Sequence, residues 1–191
     1  MDDIVKAALA KWPNVPDCYG WLGLDSRGNW YMRDDNAQAA GLFCVPSPEA
    51  GRQLASKGSL LKHDKLIDFI QRNYAADAQG QWFFQNGPQR VYVELEATPF
   101  VWRVEGAPDF GVTAHTGQVA ITQRCFIDEY GRVYLETALG FGLVYTQDML
   151  QAANAIEQGL WVPQEVLAHD LQKRFGYVRS PEAANNSLLK K

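Results

Sequence analysis

The sequence is short of cysteine, and its cysteines are scattered. There are three in 191 residues: Cys18, Cys44 and Cys125. An odd number at wide spacing, with no C-x-x-C pair, points to reduced thiols rather than a disulfide framework. The three histidines, His63, His115 and His169, fall in no H-E-x-x-H or comparable spacing, so no metal site is signalled. Long apolar runs are missing, and nothing approaches the roughly 18 residues of a membrane span. The opening "MDDIVKAALAKW" carries two acids and no basic region ahead of an apolar run, unlike a signal peptide. The expectation is a cytoplasmic chain with no membrane partner. Positive charge is not in excess, since 18 Lys and Arg against 22 Asp and Glu leave a net charge of −4. That balance lacks the footprint of a nucleic-acid binder.

Catalytic signatures are also absent. No G-x-S-x-G supplies a nucleophile elbow. Asp109-Phe110-Gly111 spells a kinase tripeptide, but the chain has neither the H-R-D loop nor the glycine-rich loop that gives it meaning, so it reads as a loop-to-strand turn. Gly140-Phe141-Gly142 is a lone G-x-G without the rest of a dinucleotide fingerprint. No cofactor is implied.

What is present is ordinary globular composition, 47% hydrophobic and 21% charged, with many aromatics. Six Trp, eight Tyr and nine Phe favour β-structure and leave room for an aromatic-lined groove. Period-3.6 runs predict helices near 2–11, 60–74, 147–158 and 164–175. Asp2 and Asp3 suit the first helix N-terminus, Ser59 the cap of the second, and Thr146 the cap of the third. Pro163 and Gly176 bracket the fourth. Period-2 runs, above all "RVYVELEATPFVWRVEG", predict antiparallel strands. The predicted class is α+β, with mainly antiparallel sheet in two small subdomains sharing an interface. Residues 1–87 would form the first, 88–180 the second with the C-terminal helices, and 181–191 a frayed tail. Residues 34–58 form the longest irregular segment.

One motif recurs. Asp25-Ser-Arg-Gly28-Asn-Trp30, Asp77-Ala-Gln-Gly80-Gln-Trp82 and Asp128-Glu-Tyr-Gly131-Arg-Val133 share the form D-x-x-G-x-(W/V), followed by Tyr31, Phe83 and Tyr134. Asp can bond its own backbone to start a turn, Gly supplies the positive φ that ends it, and a β-former begins the returning strand. Phosphate loops need a helix directly after the glycines, and here strands follow. With the helix "KLIDFIQRNY" and the "VELEATPF" stretch from Val93 to Phe100, this layout resembles a family of small proteobacterial proteins known only as a domain of unknown function. The resemblance covers about residues 17–140 and departs between Asp34 and Gly58, where the family has a shorter link. It implies an α/β roll-like half joined to a mostly β half, and it brings no catalytic residues.

For a site, Arg90, Tyr92, Glu94 and Glu96 alternate along one strand and share a face. Trp102 and Arg103 follow on the next extended segment. Carboxylates beside Arg and Tyr could bind a polar ligand or do acid–base work; the plainer reading is the solvated face of a sheet. Two classes of function remain. The favoured one is a non-catalytic module binding a small molecule or a protein partner. The other is an enzyme with a dispersed acid–base site around Tyr92 and Glu94.

Overall fold

The computed structural model describes residues 1–44 and 55–189; part of the irregular 34–58 segment therefore lies outside the described residues. The chain divides into two compact units. The first holds Met1–Asp25, Asn29–Glu96 and Tyr177–Lys191, the second Ser26–Gly28 and Ala97–Gly176.

The first unit opens with α1 (Asp3–Lys11), which buries Val5. Strands β1 (Cys18–Leu24) and β2 (Trp30–Met32) form a hairpin that sets Leu24 opposite Trp30. Helix α2 (Asp35–Ala40) follows within the segment read as irregular. Its Asp34 carboxylate accepts from the Ala37 amide at 2.8 Å, the usual service of Asp at a cap. The helix predicted at 60–74 is shorter. Ser59 and Leu60 form β3 (Ser59–Leu60), paired with β2, and α3 spans Asp64–Arg72. His63 rather than Ser59 caps it, its Nδ1 accepting from the Leu66 amide at 3.3 Å. Tyr74 already begins β4 (Tyr74–Ala76), followed by β5 (Trp82–Asn86) and β6 (Gln89–Leu95). These strands make a six-stranded sheet in the order β3-β2-β1-β6-β5-β4. A border at 87/88 would cut the β5–β6 hairpin, and β6 is the partner of β1 at the sheet centre. Residues 88–96 accordingly lie in the first unit.

The second unit contains β7 (Phe100–Val104), β8 (Val112–Ala114), β9 (Val119–Ala120), β10 (Thr122–Asp128), β11 (Val133–Thr137) and β12 (Gly140–Val144). A 3₁₀ turn at Thr146–Asp148 leads into α4 (Met149–Glu157), and Gly159 follows with φ +74°. The predicted helix 164–175 starts late. Pro163–Val166 is strand β13, parallel to β10; Ala168–Asp170 is a 3₁₀ turn that leads into α5 (Leu171–Phe175), ended by Gly176 at φ +64°. Backbone pairing with β10 and burial of Val166 outweigh helix propensity there. The seven-stranded order is β13-β10-β11-β12-β7-β8-β9. Because Ile121 alone separates β9 from β10, the last strand of that order is covalently adjacent to the second. The sheet must curl on itself around its core of Trp102, Phe126, Tyr134 and Leu135. Gly142 lets the Trp102 indole lie against its strand, which accounts for the G-x-G in packing terms.

The chain then returns to the first unit. The tail read as frayed is helix α6 (Pro181–Leu189), which rests on β1 and β6. Ser180 Oγ accepts from the Ala183 amide at 3.2 Å. On the way, Val178 donates to the Gly80 carbonyl at 3.0 Å and Leu95 to the Arg179 carbonyl at 2.8 Å. The class is α+β with mainly antiparallel sheet; β1–β6, β7–β12 and β10–β13 are parallel. Among the described residues, no helix is long and apolar enough to cross a membrane.

Candidate functional site

The three D-x-x-G stretches adopt one local structure. Asp25 Oδ1 accepts from the Asn29 amide at 2.8 Å, Asp77 Oδ1 from the Gln79 and Gln81 amides at 2.9 Å, and Asp128 Oδ1 from Tyr130 at 3.0 Å and Arg132 at 2.9 Å. Gly28, Gly80 and Gly131 have φ of +86°, +76° and +74°. The second carboxylate oxygen takes a tyrosine hydroxyl each time. Tyr31 and Tyr134, six residues on, donate to Asp25 and Asp128 at 3.4 and 2.8 Å. In the middle copy that position is Phe83, and its cross-strand neighbour Tyr92 donates to Asp77 at 3.0 Å instead. Each carboxylate is thus engaged in holding a turn, with Trp30, Phe83 and Tyr134 buried behind.

The polar row on β6 is occupied in the same way. Arg90 is exposed, with its guanidinium 4.9 Å from the Phe83 ring centre. Tyr92 is buried and stacks on Tyr19 at 4.6 Å. Burial first, with its hydrogen bond to Asp77 adding, pushes its hydroxyl up to about 12. Glu94 is only 3% exposed. Its Oε1 accepts from the Glu182 amide at 3.0 Å, and burial holds its carboxyl above the ordinary range. Glu96 pairs with Lys57 at 2.8 Å. The face is therefore not solvated over Tyr92, which lies against Tyr19 and Phe83, nor over Glu94, which meets the start of α6.

Trp102 and Arg103 belong to the second unit. Trp102 is fully buried and donates from Nε1 to the Leu135 carbonyl at 3.0 Å. Arg103 binds Asp148, Nε to Oδ2 at 2.6 Å, and lies 4.5 Å from the Tyr145 ring centre. The six residues fall in two units, and each described contact above serves the fold. Sequence reasoning passed over Arg33, which is 1% exposed. It donates to the Gly20, Ser56 and Gly41 carbonyls at 2.9, 3.2 and 2.5 Å. No local pattern distinguishes it from a surface arginine.

His115 is half-buried, its Nδ1 accepting from the Val101 amide at 3.3 Å, and desolvation of the ring pulls its imidazole down to about 3. Among the described residues, no group of three or more His, Cys, Asp or Glu side chains is placed to hold a metal ion. Cys18, Cys44 and Cys125 are free thiols.

Open surface relief lies in the second unit, at the two ends of the β10–β13 pair. One groove, of about 570 Å³, is lined by Glu129, Glu165, Leu167, Asp170 and Arg174 among others. A second, of about 300 Å³, is lined by Thr122, Arg124, Leu160 and Val162 among others. Arg124 is tied to Glu136, and Arg174 reaches Gln164 Oε1 at 3.4 Å. Both grooves depend on β13 being a strand, which is why a helical reading of 164–175 concealed them.

Comparison with curated proteins gives no match. Among solved structures, a DUF1285 family protein from Silicibacter pomeroyi DSS-3 is similar at 13% identity, with a TM-score of 0.47 over 81% of this chain and 84% of that one. A DUF1285 family protein from Shewanella baltica OS155 is similar at 15% identity, with a TM-score of 0.40 over 70% of this chain and 91% of that one. Residues 1–182 match the model of the DUF2944 family, described as a protein of unknown function (DUF2946), and the chain belongs to that family.

Proposed function

We propose that the chain is a non-catalytic module that binds a protein partner on its second unit. The observation that carries this reading is the relief around β13, a strand at the end of its sheet with an open groove at each end of its pairing with β10. Grooves open to solvent and flanked by exposed aliphatic side chains suit a protein surface better than an enclosed small molecule. The competing reading is an acid–base enzyme around Tyr92 and Glu94. It draws on the raised carboxyl of Glu94, since perturbed carboxylates gather at catalytic sites. Against it stands the burial of both side chains, with Tyr92 bonded to Asp77 and Glu94 to the Glu182 amide.

Two measurements test the reading. A photo-crosslinking residue at Leu167 should give a discrete protein adduct in cells, and the same residue at Lys65, exposed on the first unit, should not. Identical adducts from both positions, or none from Leu167, refute it. Carbodiimide labelling of the native chain should modify Glu165 and spare Glu94. Equal labelling of the two would expose Glu94 to a substrate and favour the enzyme.

A further inference from the structure

Building on that reading, we propose that β13 takes an extended segment of a partner protein, aliphatic at one end and bearing Lys or Arg at the other, as an added strand. Strand β13 pairs with β10 along Cys125–Asp128. Among the described residues no strand pairs with its other edge. A free edge offers backbone donors and acceptors to an incoming strand, and the flanking pockets set which side chains it carries.

Those pockets differ in character. At the entry to β13, Leu160 and Val162 are 58% and 76% exposed. Ile121, 84% exposed, directly precedes Thr122 in the same groove. Large aliphatic chains left this open at one end of an edge strand mark an apolar contact. At the exit, the carboxylates of Glu129, Glu165 and Asp170 line the other groove. Glu129 Oε2 accepts from the Ala168 amide at 2.8 Å and Asp170 lies 3.5 Å from His169 Nε2, while Arg174 lies over the Phe126 ring at 5.1 Å and reaches Gln164. The charge left facing a newcomer is negative, which selects Lys or Arg opposite it.

Charge also argues against a second copy as the occupant. Antiparallel pairing of two β13 edges about a dyad would set Glu165 near its own symmetry mate and place the carboxylates of each chain beside the aliphatic end of the other. Pro163 and Glu165 discourage indiscriminate edge pairing. A basic residue opposite Glu165 turns that same charge into selectivity.

The test uses the full chain labelled with ¹⁵N and two capped peptides. One reads Ile-Thr-Val-Thr-Lys-Thr-Lys, and the other has Glu in place of each Lys. The basic peptide should bind saturably with Kd of about 0.1 mM. Amide shifts should gather at residues 160–170 and 127–129. Binding should weaken at least about tenfold for the acidic peptide and for the Glu165→Lys/Asp170→Lys variant. The milder Glu165→Gln/Asp170→Asn variant serves if the first does not fold, and should weaken binding about threefold. No saturable binding below about 1 mM, equal binding of the two peptides, or shifts centred elsewhere overturn the proposal. The same shifts appearing on concentrating the chain alone would overturn it in favour of a second copy. An adduct at Leu167 without binding of the basic peptide removes this inference and leaves the protein-binding reading standing; failure of both removes both.

Discussion

Replacing Asp128 by alanine removes a turn carboxylate that four donors engage, one of them a guanidinium. It is 6% exposed. It accepts from the Tyr130 and Arg132 amides, from Arg132 Nε at 2.7 Å and from the Tyr134 hydroxyl. The Arg132 side chain is 45% exposed, so its ion pair contributes under about 1 kcal/mol. The two amides and the buried phenol contribute about 1 kcal/mol each, somewhat more because the acceptor is charged. Asp128→Ala should therefore cost about 3–4 kcal/mol. Asp128→Asn keeps one oxygen for the amides but turns a donor toward donors, at about 2 kcal/mol. Tyr134→Phe should cost about 1 kcal/mol.

The pH dependence adds a check on sign. Burial pushes the Asp128 carboxyl up, but the Arg132 amide, the Tyr134 hydroxyl and the Arg132 side chain together hold it below 3.8. A depressed carboxyl contributes stability above its unfolded value and loses it as pH falls through the folded one. The gap between wild type and Asp128→Asn should then be constant above 3.8 and close below it. With two units, one denaturation midpoint is not a two-state quantity. Native-state amide exchange across β10 and β11 is the better assay. A loss within about 0.5 kcal/mol for Asp128→Ala, the usual range of an inert surface site, would refute the account of the turn.

Gly28 and Gly131 hold equivalent places, yet a Cβ at Gly28 would lie 2.8 Å from His115 Cβ, while one at Gly131 meets nothing within 4 Å. Gly131→Ala should cost about 1 kcal/mol, and Gly28→Ala at least about 2 kcal/mol; equal losses by chemical denaturation would contradict the crowding. With its imidazole pulled down to about 3 by burial, His115 stays neutral in the folded chain while the unfolded chain protonates below 6.5. Stability should fall as pH drops across that interval, and the ring resonances should stay fixed from about pH 7 to pH 4. An inflection near 6.5 would show the ring open to solvent.

The turns were legible because Asp and Gly act through their own backbone neighbourhood. Asp25, Asp77 and Asp128 need nothing distant to close their rings. The C-terminal segments were not. "PQEVLAHDLQKRF" carries helix-compatible residues throughout, and only the backbone of β10, far away in sequence, makes Pro163–Val166 a strand. Helix α6 did leave a mark. Ser180 followed by Pro181 and Glu182 is a cap, a first-turn proline and a first-turn acid. The tail was discounted for its small apolar content, although burial of Glu94 depends on it. The candidate row on β6 was misjudged for the same reason. Alternation showed that Tyr92 and Glu94 share a face, but the Tyr19 ring that stacks on Tyr92 and the Glu182 amide that meets Glu94 lie 73 and 88 positions away. Nothing local predicted the grooves beside β13, since they follow from a pairing and not from a motif.

The return of the chain to the first unit has a consequence for its birth on the ribosome. Domains ordinarily fold in the order in which they emerge. Here Arg179 binds the Glu96 carbonyl from 83 positions further along, and the Glu182 amide binds Glu94 from 88. Glu94 and the Glu96 carbonyl must wait for these partners while the whole of Ala97–Gly176 is translated. The part of the protein synthesised in the middle has nearly all its own residues before the part synthesised first is complete. A ribosome stalled just after Gly176 has exited should hold a second unit already protected from exchange and a first unit still open at β6.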